Sequence, residues 1–428
     1  MKCPIILLIL SFLLCSPNNT QAQLCTTDNR FTEEEYFSET EIFSRTNIRY
    51  ARAMDWQGNM VNLKMDVYFP KLGVDPLAER PFVMMIHGGG FKGGSKESMT
   101  NYCMEFAKRG FVAITINYRL GWDQSDPSDQ VLAVYRAQQD ANAALRFVVA
   151  NANQARIDTD WLFIGGSSAG SVTSLSTIYV SQEEWEAEVP GITALLGPLN
   201  TSGNNLTNSF ELQGIFNNWG MTLDNAINPE DMVPSIAFHG VLDQTTPIGT
   251  GPGYPGGPIY SGSGTIHNYL LANNVCSELT VDSMGFHGIY RGNDGEDFRV
   301  SRAACFFKSL FCEDCSSNYF VEQVLPDCAP NESEAVGIDV PKINTNTKDS
   351  TTPFRLFPNP VDAFLNIEGD LEGYEIELIN TTGQVVRRMD YHDGSHTMNV
   401  ADLTPGLYLF RAIHTEDKKV EVKKVLIQ

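Results

Sequence analysis

Trp161-Leu-Phe-Ile-Gly-Gly-Ser-Ser-Ala-Gly170 runs an apolar stretch into a glycine-serine turn, and Ser171 to Val180 follows with helical spacing. A strand that passes through G-x-S-x-G into a helix makes a sharp, strained turn that lifts the central serine clear of the backbone. Ser168 is central in the frame Gly166-Ser-Ser-Ala-Gly170. Centring the turn on Ser167 would put Ala169 where the chain needs glycine for close backbone approach. A glycine-serine loop after any buried strand looks the same locally, so the flanking elements decide the reading.

Upstream, Val61 to Phe69 alternates apolar and polar residues and reads as a half-buried strand, antiparallel and near a sheet edge. Pro81 to Ile86 and Phe111 to Ile116 are continuous apolar runs, the pattern of strands buried on both faces. Between them Ser95 to Lys108 has helical spacing and ends at Gly110, and a long amphipathic helix is expected from about Asp129 to Val149. Downstream, strands are expected at Gly214 to Phe216, Ser235 to Phe238 and Leu279 to Val281, with helices at Ile266 to Leu271 and Phe298 to Phe311. This alternation predicts an α/β protein, a doubly wound and mostly parallel sheet with helices on both faces. Gly249 to Gly264, rich in Gly, Pro, Ser and Tyr, reads as a loop at the rim of a cleft.

With 42% apolar and 10% aromatic residues the chain has ample material for a core. Its formal charge of -22 argues against nucleic acid or an anionic membrane surface as partner, and no Lys/Arg cluster offsets that field. Met1-Lys2, the apolar run from Ile5 to Leu14 and the small residues around Ala22 read as a signal peptide cleaved before Gln23. No later stretch is apolar for long enough to insert stably in a membrane. Of nine cysteines, Cys3 and Cys15 leave with that peptide. The odd remainder predicts up to three disulfides and one free thiol, with Cys305, Cys312, Cys315 and Cys328 as the expected staple and no pairing readable. The C-x-x-C at 312 to 315 reads as structural disulfide chemistry, with no metal site.

At 428 residues the chain exceeds one domain of about 150 residues. It is read as a signal peptide at 1–22, a catalytic domain at 23–330, a polar linker at 331–352 and a small all-β sandwich at 353–428. Short alternating segments separated by Thr382-Gly383, Asp393-Gly394 and Pro405-Gly406 carry the last assignment.

A serine hydroxyl needs a base within hydrogen-bond reach, itself oriented by a carboxylate. Asp243 stands just beyond the run Ser235 to Gly240, at the carboxyl end of an expected buried strand; Asp224 and Asp231 precede that strand and fit less well. Among seven histidines, three fall in the C-terminal domain, His87 belongs to a glycine loop, His239 precedes the acid and His267 sits in a helical pattern. His287, flanked by Gly285 and Gly288 after the last strand, is the candidate base, and the order Ser168, Asp243, His287 is the one expected after such an elbow. His87-Gly-Gly-Gly90 would supply backbone N–H groups to an oxyanion, with Gly89, Gly90 and Ala169 as donors. Phe91, Trp122 and Trp219 are the candidate apolar residues of a substrate pocket.

With these motifs, residues from about 47 to 311 resemble an α/β-hydrolase of the carboxylesterase and lipase type. The His87-Gly-Gly-Gly-Phe91 loop, Asn117-Tyr-Arg-Leu120 and the Ser168 elbow are similar to esterases of the hormone-sensitive-lipase and cholinesterase-like groups, although Ser167 stands where the former usually has aspartate. Leu356-Phe-Pro-Asn-Pro360, Gly383 and Leu403-Thr-Pro-Gly-Leu-Tyr408 resemble the sorting domain of the type IX (Por) secretion system. Together the resemblances imply a serine carboxylic ester hydrolase that needs no cofactor and acts on a small-molecule or polymeric ester. They further imply contact with the secretion machinery through the C-terminal domain, and a secreted or cell-surface location in a Gram-negative bacterium. The rival readings are an exopeptidase of the prolyl-oligopeptidase type and a non-catalytic surface adhesin on a hydrolase scaffold.

Overall fold

Residues 80–86 are buried along their whole length, with Phe82, Met84 and Ile86 in one core and Val83 and Met85 in another. Since side chains alternate across a strand, a run with no polar face must be covered on both sides. In this computed structural model of the chain, residues 24–25, 28–253, 257–324 and 328 are described, together with 354–357, 361, 364–369, 371, 373–380, 385–390, 396–404, 406–415 and 420–427. The signal peptide 1–22 and the linker 331–352 lie outside the described residues. Two compact units divide at Ile343 and Asn344.

The strands of the first unit's main sheet are β1 (Ile42–Met54), β2 (Met60–Pro70), β3 (Arg80–Ile86), β4 (Val112–Ile116), β5 (Ile157–Ser167), β6 (Leu212–Asn218), β8 (Ser235–Gly240), β11 (Ser277–Asp282) and β12 (Asn318–Val321). Their order is β1-β2-β4-β3-β5-β6-β8-β11-β12. The pairs β1/β2 and β2/β4 are antiparallel and every later pair is parallel, so β5 lies at the centre of a mostly parallel sheet. Helices α2 (Asp129–Ala150) and α3 (Ala169–Tyr179) cover one face, and α1 (Thr100–Lys108) and α7 (Asn293–Phe311) the other. Phe163 of β5 stacks on Phe307 of α7 with ring centroids 3.9 Å apart.

Val61 to Phe69 lies within β2, antiparallel to both its neighbours and next to the sheet edge as expected; the edge strand itself is β1, whose exposed and polar start hid it from a hydrophobic pattern. Three local expectations change. Helix α2 is not amphipathic towards solvent, since sixteen of its residues are buried. The chain beyond α4 (Gln182–Glu188) and α5 (Ile192–Leu196) covers its outer face, with the Gln139 amide donating to the carbonyls of Leu196, Gly197 and Pro198. Gly249 to Gly264 is not simply a loop: β9 (Thr250–Pro252) and β10 (Ile259–Gly262) pair with each other, and β10 pairs with β7 (Met221–Leu223), before α6 (Ser263–Ala272) begins. Its glycines permit close packing, for a Cβ on Gly262 would lie 1.9 Å from the Pro247 carbonyl oxygen. The last helix also starts earlier than expected, at Asn293.

Among the described residues, three disulfides join Cys25 to Cys312, Cys276 to Cys315 and Cys305 to Cys328, and Cys103 is a buried free thiol. Cys312 and Cys315 are therefore both bridged, but not to each other. In the second unit, β13 (Phe354–Phe357), β14 (Phe364–Gly369) and β17 (His396–Asn399) form one antiparallel sheet. The other contains β15 (Tyr374–Ile379), β16 (Val385–Asp390), β18 (Gly406–His414) and β19 (Val420–Ile427). Leu365, Ile367 and Met398 from the first sheet share a single core with Ile376, Phe410 and Val425 from the second, which makes a small sandwich.

Candidate active site

Every residue expected at the site stands at or beyond the carboxyl end of a strand. At the tip of β5, Ser168 has φ 55° and ψ -121°, a conformation that costs a non-glycine residue of order 1–3 kcal/mol. The surroundings hold it there. The Ser168 N–H donates to the Asn218 carbonyl at 3.0 Å, and a Cβ on Gly170 would fall 2.0 Å from the Ile86 carbonyl oxygen. A Cβ on Gly166 would lie 2.5 Å from the Gly170 carbonyl carbon, so both elbow glycines are sites of close backbone approach. Ser171 Oγ donates to the Gly166 carbonyl and accepts from the Asn218 N–H, fastening the turn to β6.

The glycine loop leaves β3 beside this turn. A Cβ on Gly88 would sit 2.8 Å from the Ser167 carbonyl oxygen and 3.3 Å from Ser168 Cβ. Gly89 and Gly90 have φ of 120° and 61°, and among the described residues neither donates its N–H to a backbone carbonyl. Ala169 is the first residue of α3, where backbone N–H groups have no carbonyl one turn earlier to bond. His87 keeps this loop in place: its ring stacks on Tyr118 at 4.4 Å and its Nδ1 lies 2.7 Å from the Gly88 carbonyl, while burial pushes its imidazole below the usual value.

Asp243 follows β8, and His287 follows β11 in a loop packed against it. Leu242 donates its N–H to the Gly285 carbonyl at 2.9 Å. His287 Nε2 is 2.8 Å from Ser168 Oγ, and its Nδ1 is 2.8 Å from Asp243 Oδ2. With Nδ1–H donating to the carboxylate, Nε2 is free to accept the serine proton. The Asp243 side chain is wholly buried, whereas that of His287 is 26% exposed. Burial alone would raise the Asp243 carboxyl, but hydrogen bonds from His239, His287 and the Thr246 backbone hold it far below the usual carboxylate range. Its Oδ1 accepts the N–H groups of Thr245 and Thr246, and Oδ2 lies 2.9 Å from Thr246 Oγ1.

Beside Ser168 lies a cavity of about 80 Å³, walled by Phe91, Val131, Val134, Val172, Met221 and Tyr260. Phe91 thus stands where expected, but Trp122 and Trp219 do not line it. Trp122 is turned aside to donate its indole N–H to the Gly90 carbonyl at 3.1 Å, so it orients the glycine loop. Trp219 faces the buried Arg299 guanidinium at 4.8 Å and the edge of the His287 ring. Aromatic character alone does not tell a cleft residue from a second-row support. The wall residues missed from sequence come from the first half of α2, from α3 and from the β7–β10 pair, segments whose apolar residues carry no motif. Glu33, Cys305 and Cys328 place metal-ligating atoms together, but the two sulfurs are bonded to one another. Among the described residues no helix is long and apolar enough to cross a membrane.

The BD-FAE family profile matches residues 65–247, and that of the secretion system C-terminal sorting domain matches residues 355–428. Among characterised proteins, Esterase LipI of Mycobacterium tuberculosis is 30% identical over 105 residues, covering 24% of this chain and 30% of the esterase. Methylphloroacetophenone synthase of Cladonia uncialis is 39% identical over 61 residues, 14% of this chain and 2% of the synthase. The chain therefore spans less than a third of either relative. Among solved structures, the propionate-bound esterase Est2 of Thermogutta terrifontis is 17% identical with a TM-score of 0.45, over 66% of this chain and 98% of that one. The chain carries an α/β-hydrolase fold whose residues 65–247 match the BD-FAE family, followed at residues 355–428 by a secretion system C-terminal sorting domain.

Proposed function

We propose that the protein is an exported serine carboxylic ester hydrolase working through an acyl-enzyme, with Ser168 as nucleophile, His287 as base and Asp243 as the carboxylate that orients it. The observation carrying the reading is the unbroken pair of 2.8 Å contacts from Ser168 Oγ to His287 and from His287 to Asp243. Ser168 Oγ attacks the ester carbonyl carbon as its proton passes to His287 Nε2, and the carbonyl π pair becomes the oxyanion. The N–H groups of Gly89, Gly90 and Ala169 receive that charge, each contributing about 3 kcal/mol in such sites. Collapse breaks the bond to the alcohol oxygen, which leaves with the proton from His287. Water then attacks the acyl-serine, giving its proton to His287, and release of the acid returns that proton to Ser168.

The cavity supports a short acyl group. At roughly 10–15 Å³ of such space per water-sized group, 80 Å³ takes on the order of five to eight heavy atoms. Acetyl to butyryl groups match that space, whereas a feruloyl group or a long alkanoyl chain would extend beyond it towards solvent. The sorting domain supports export through the type IX machinery to the surface or exterior of a Gram-negative cell. A series of p-nitrophenyl esters, assayed with wild type and Ser168→Ala, tests the reading. Hydrolysis of the acetate and butyrate esters is expected from wild type only. Full activity in Ser168→Ala would remove the serine mechanism, and a preference for long chains over butyrate would remove the acyl assignment.

A further inference from the structure

The triad carboxylate has a second histidine against it. His239, four residues before Asp243 and wholly buried, puts Nε2 at 2.6 Å from the Thr246 carbonyl oxygen and at 3.4 Å from Asp243 Oδ2. A carbonyl oxygen only accepts, so Nε2 carries the proton. In the neutral ring Nδ1 must then accept, and Ser263 Oγ stands 2.7 Å from it. Ser263 Oγ in turn accepts from the Asn217 amide at 3.0 Å, and the Asn217 amide oxygen accepts the Gly220 N–H at 2.8 Å. All donor directions are thus set by one chain of bonds, Asn217 to Ser263 to His239 to the Asp243 turn. Its side chains are buried and come from the ends of β6 and β8 and the start of α6.

We propose that His239 is a positioning residue for the triad: it clamps the Asp243–Thr246 turn and ties it to the β10–α6 junction, behind the strand that carries Tyr260 to the cavity wall. The inference rests on the assignment of Ser168, Asp243 and His287. A histidine that merely filled the core would satisfy its nitrogens anywhere. This one spends its single N–H on the turn whose residues Thr245 and Thr246 bond the carboxylate, and its other nitrogen on the helix after the hairpin. Without it the turn keeps its backbone bonds but loses the tether that fixes where Asp243 Oδ2 points.

The test uses the full chain with His239→Leu, His239→Gln and Ser263→Ala, each assayed for kcat, KM and thermal unfolding on p-nitrophenyl butyrate. A displaced acid should lower kcat in His239→Leu by about 10–100-fold, since a misplacement approaching about 1 Å costs that order. KM should change less than kcat, by no more than about threefold, because His239 itself lines no part of the cavity and the clamped turn reaches its wall only at Thr245 and Thr246. The glutamine amide N–H reaches towards the place of Nε2–H, so His239→Gln should recover to within about fivefold of wild type, a difference of about one hydrogen bond. A folded His239→Leu protein with wild-type kcat overturns the proposal, as does a folded His239→Gln protein no better than leucine. Should His239→Leu fail to fold, Ser263→Ala decides: an expected kcat loss of about three- to tenfold supports the tether, and an unchanged kcat removes it. Failure of the triad assignment would show separately, as activity surviving Ser168→Ala.

Discussion

The Ser168 turn and the Asp243–His287 arm meet at a single hydrogen bond, yet they are held by different physics. Around Ser168 the constraint is backbone against backbone, with Gly166 and Gly170 pressed on the end of β3 and no room for a Cβ. Around Asp243 and His287 the constraint is side-chain hydrogen bonding between residues 44 apart, with Thr246 and His239 arranged about a buried carboxylate. A steric frame fails all at once when atoms are added. A bonded arm fails gradually as donors are removed, and the chemistry fails before the fold does.

The largest effect should come from the arm. Asp243→Asn keeps the shape of the carboxylate but imposes the wrong imidazole tautomer, and kcat is expected to fall by about 10⁴-fold on a short aryl ester. A fall of less than tenfold in steady-state assays would place the orienting group elsewhere. Next comes the frame. Gly170→Ala puts a methyl group into the Ile86 carbonyl and should destabilise the first unit by about 3 kcal/mol or more, read as a lower urea midpoint. By contrast Gly90→Ala meets no atom closer than 3.8 Å and should cost only the left-handed backbone penalty of about 1–2 kcal/mol. Equal losses at the two positions would contradict the steric account.

The carboxylate also leaves a mark on stability. Its folded-state pKa lies below the unfolded value of about 3.9, so Asp243 contributes stability that is fully present above that pH. That contribution is lost as pH falls below about 4 towards the folded pKa. Asp243→Asn should therefore lessen the drop in Tm between pH 5 and pH 3; an unaltered drop would mean that other carboxylates carry the acid sensitivity. The smallest change is expected from Trp122→Phe, which forfeits one hydrogen bond of about 1 kcal/mol to the Gly90 carbonyl and spares the cavity wall. Its acyl-chain preference should match wild type, and a shifted preference would return Trp122 to the pocket.

The same contrast explains what could be read from sequence. The elbow and the glycine loop are legible because their geometry is local and only glycine satisfies it, so residue type and spacing carry the shape. Asp243 and His287 are legible through chain order and through elimination among seven histidines. Their supports are not: nothing in Phe238-His-Gly-Val-Leu-Asp243 says that His239 turns towards the acid. The cavity wall was hidden for the same reason. Val131 and Val134 look like any buried helical residues, and the indole of Trp122 carries no sign that its N–H points to a carbonyl. Strand β1 escaped because half of it faces water with no alternation.

The bond between Cys25 and Cys312 joins residues 287 positions apart, close to both ends of the described first unit. Topologically it turns that unit into a closed ring, with Cys305–Cys328 as a clip just outside the seam. A pull on the C-terminal sandwich during export would meet covalent sulfur bonds before it reached the sheet, and a cut beyond residue 328 would leave no loose end from which the hydrolase could unravel.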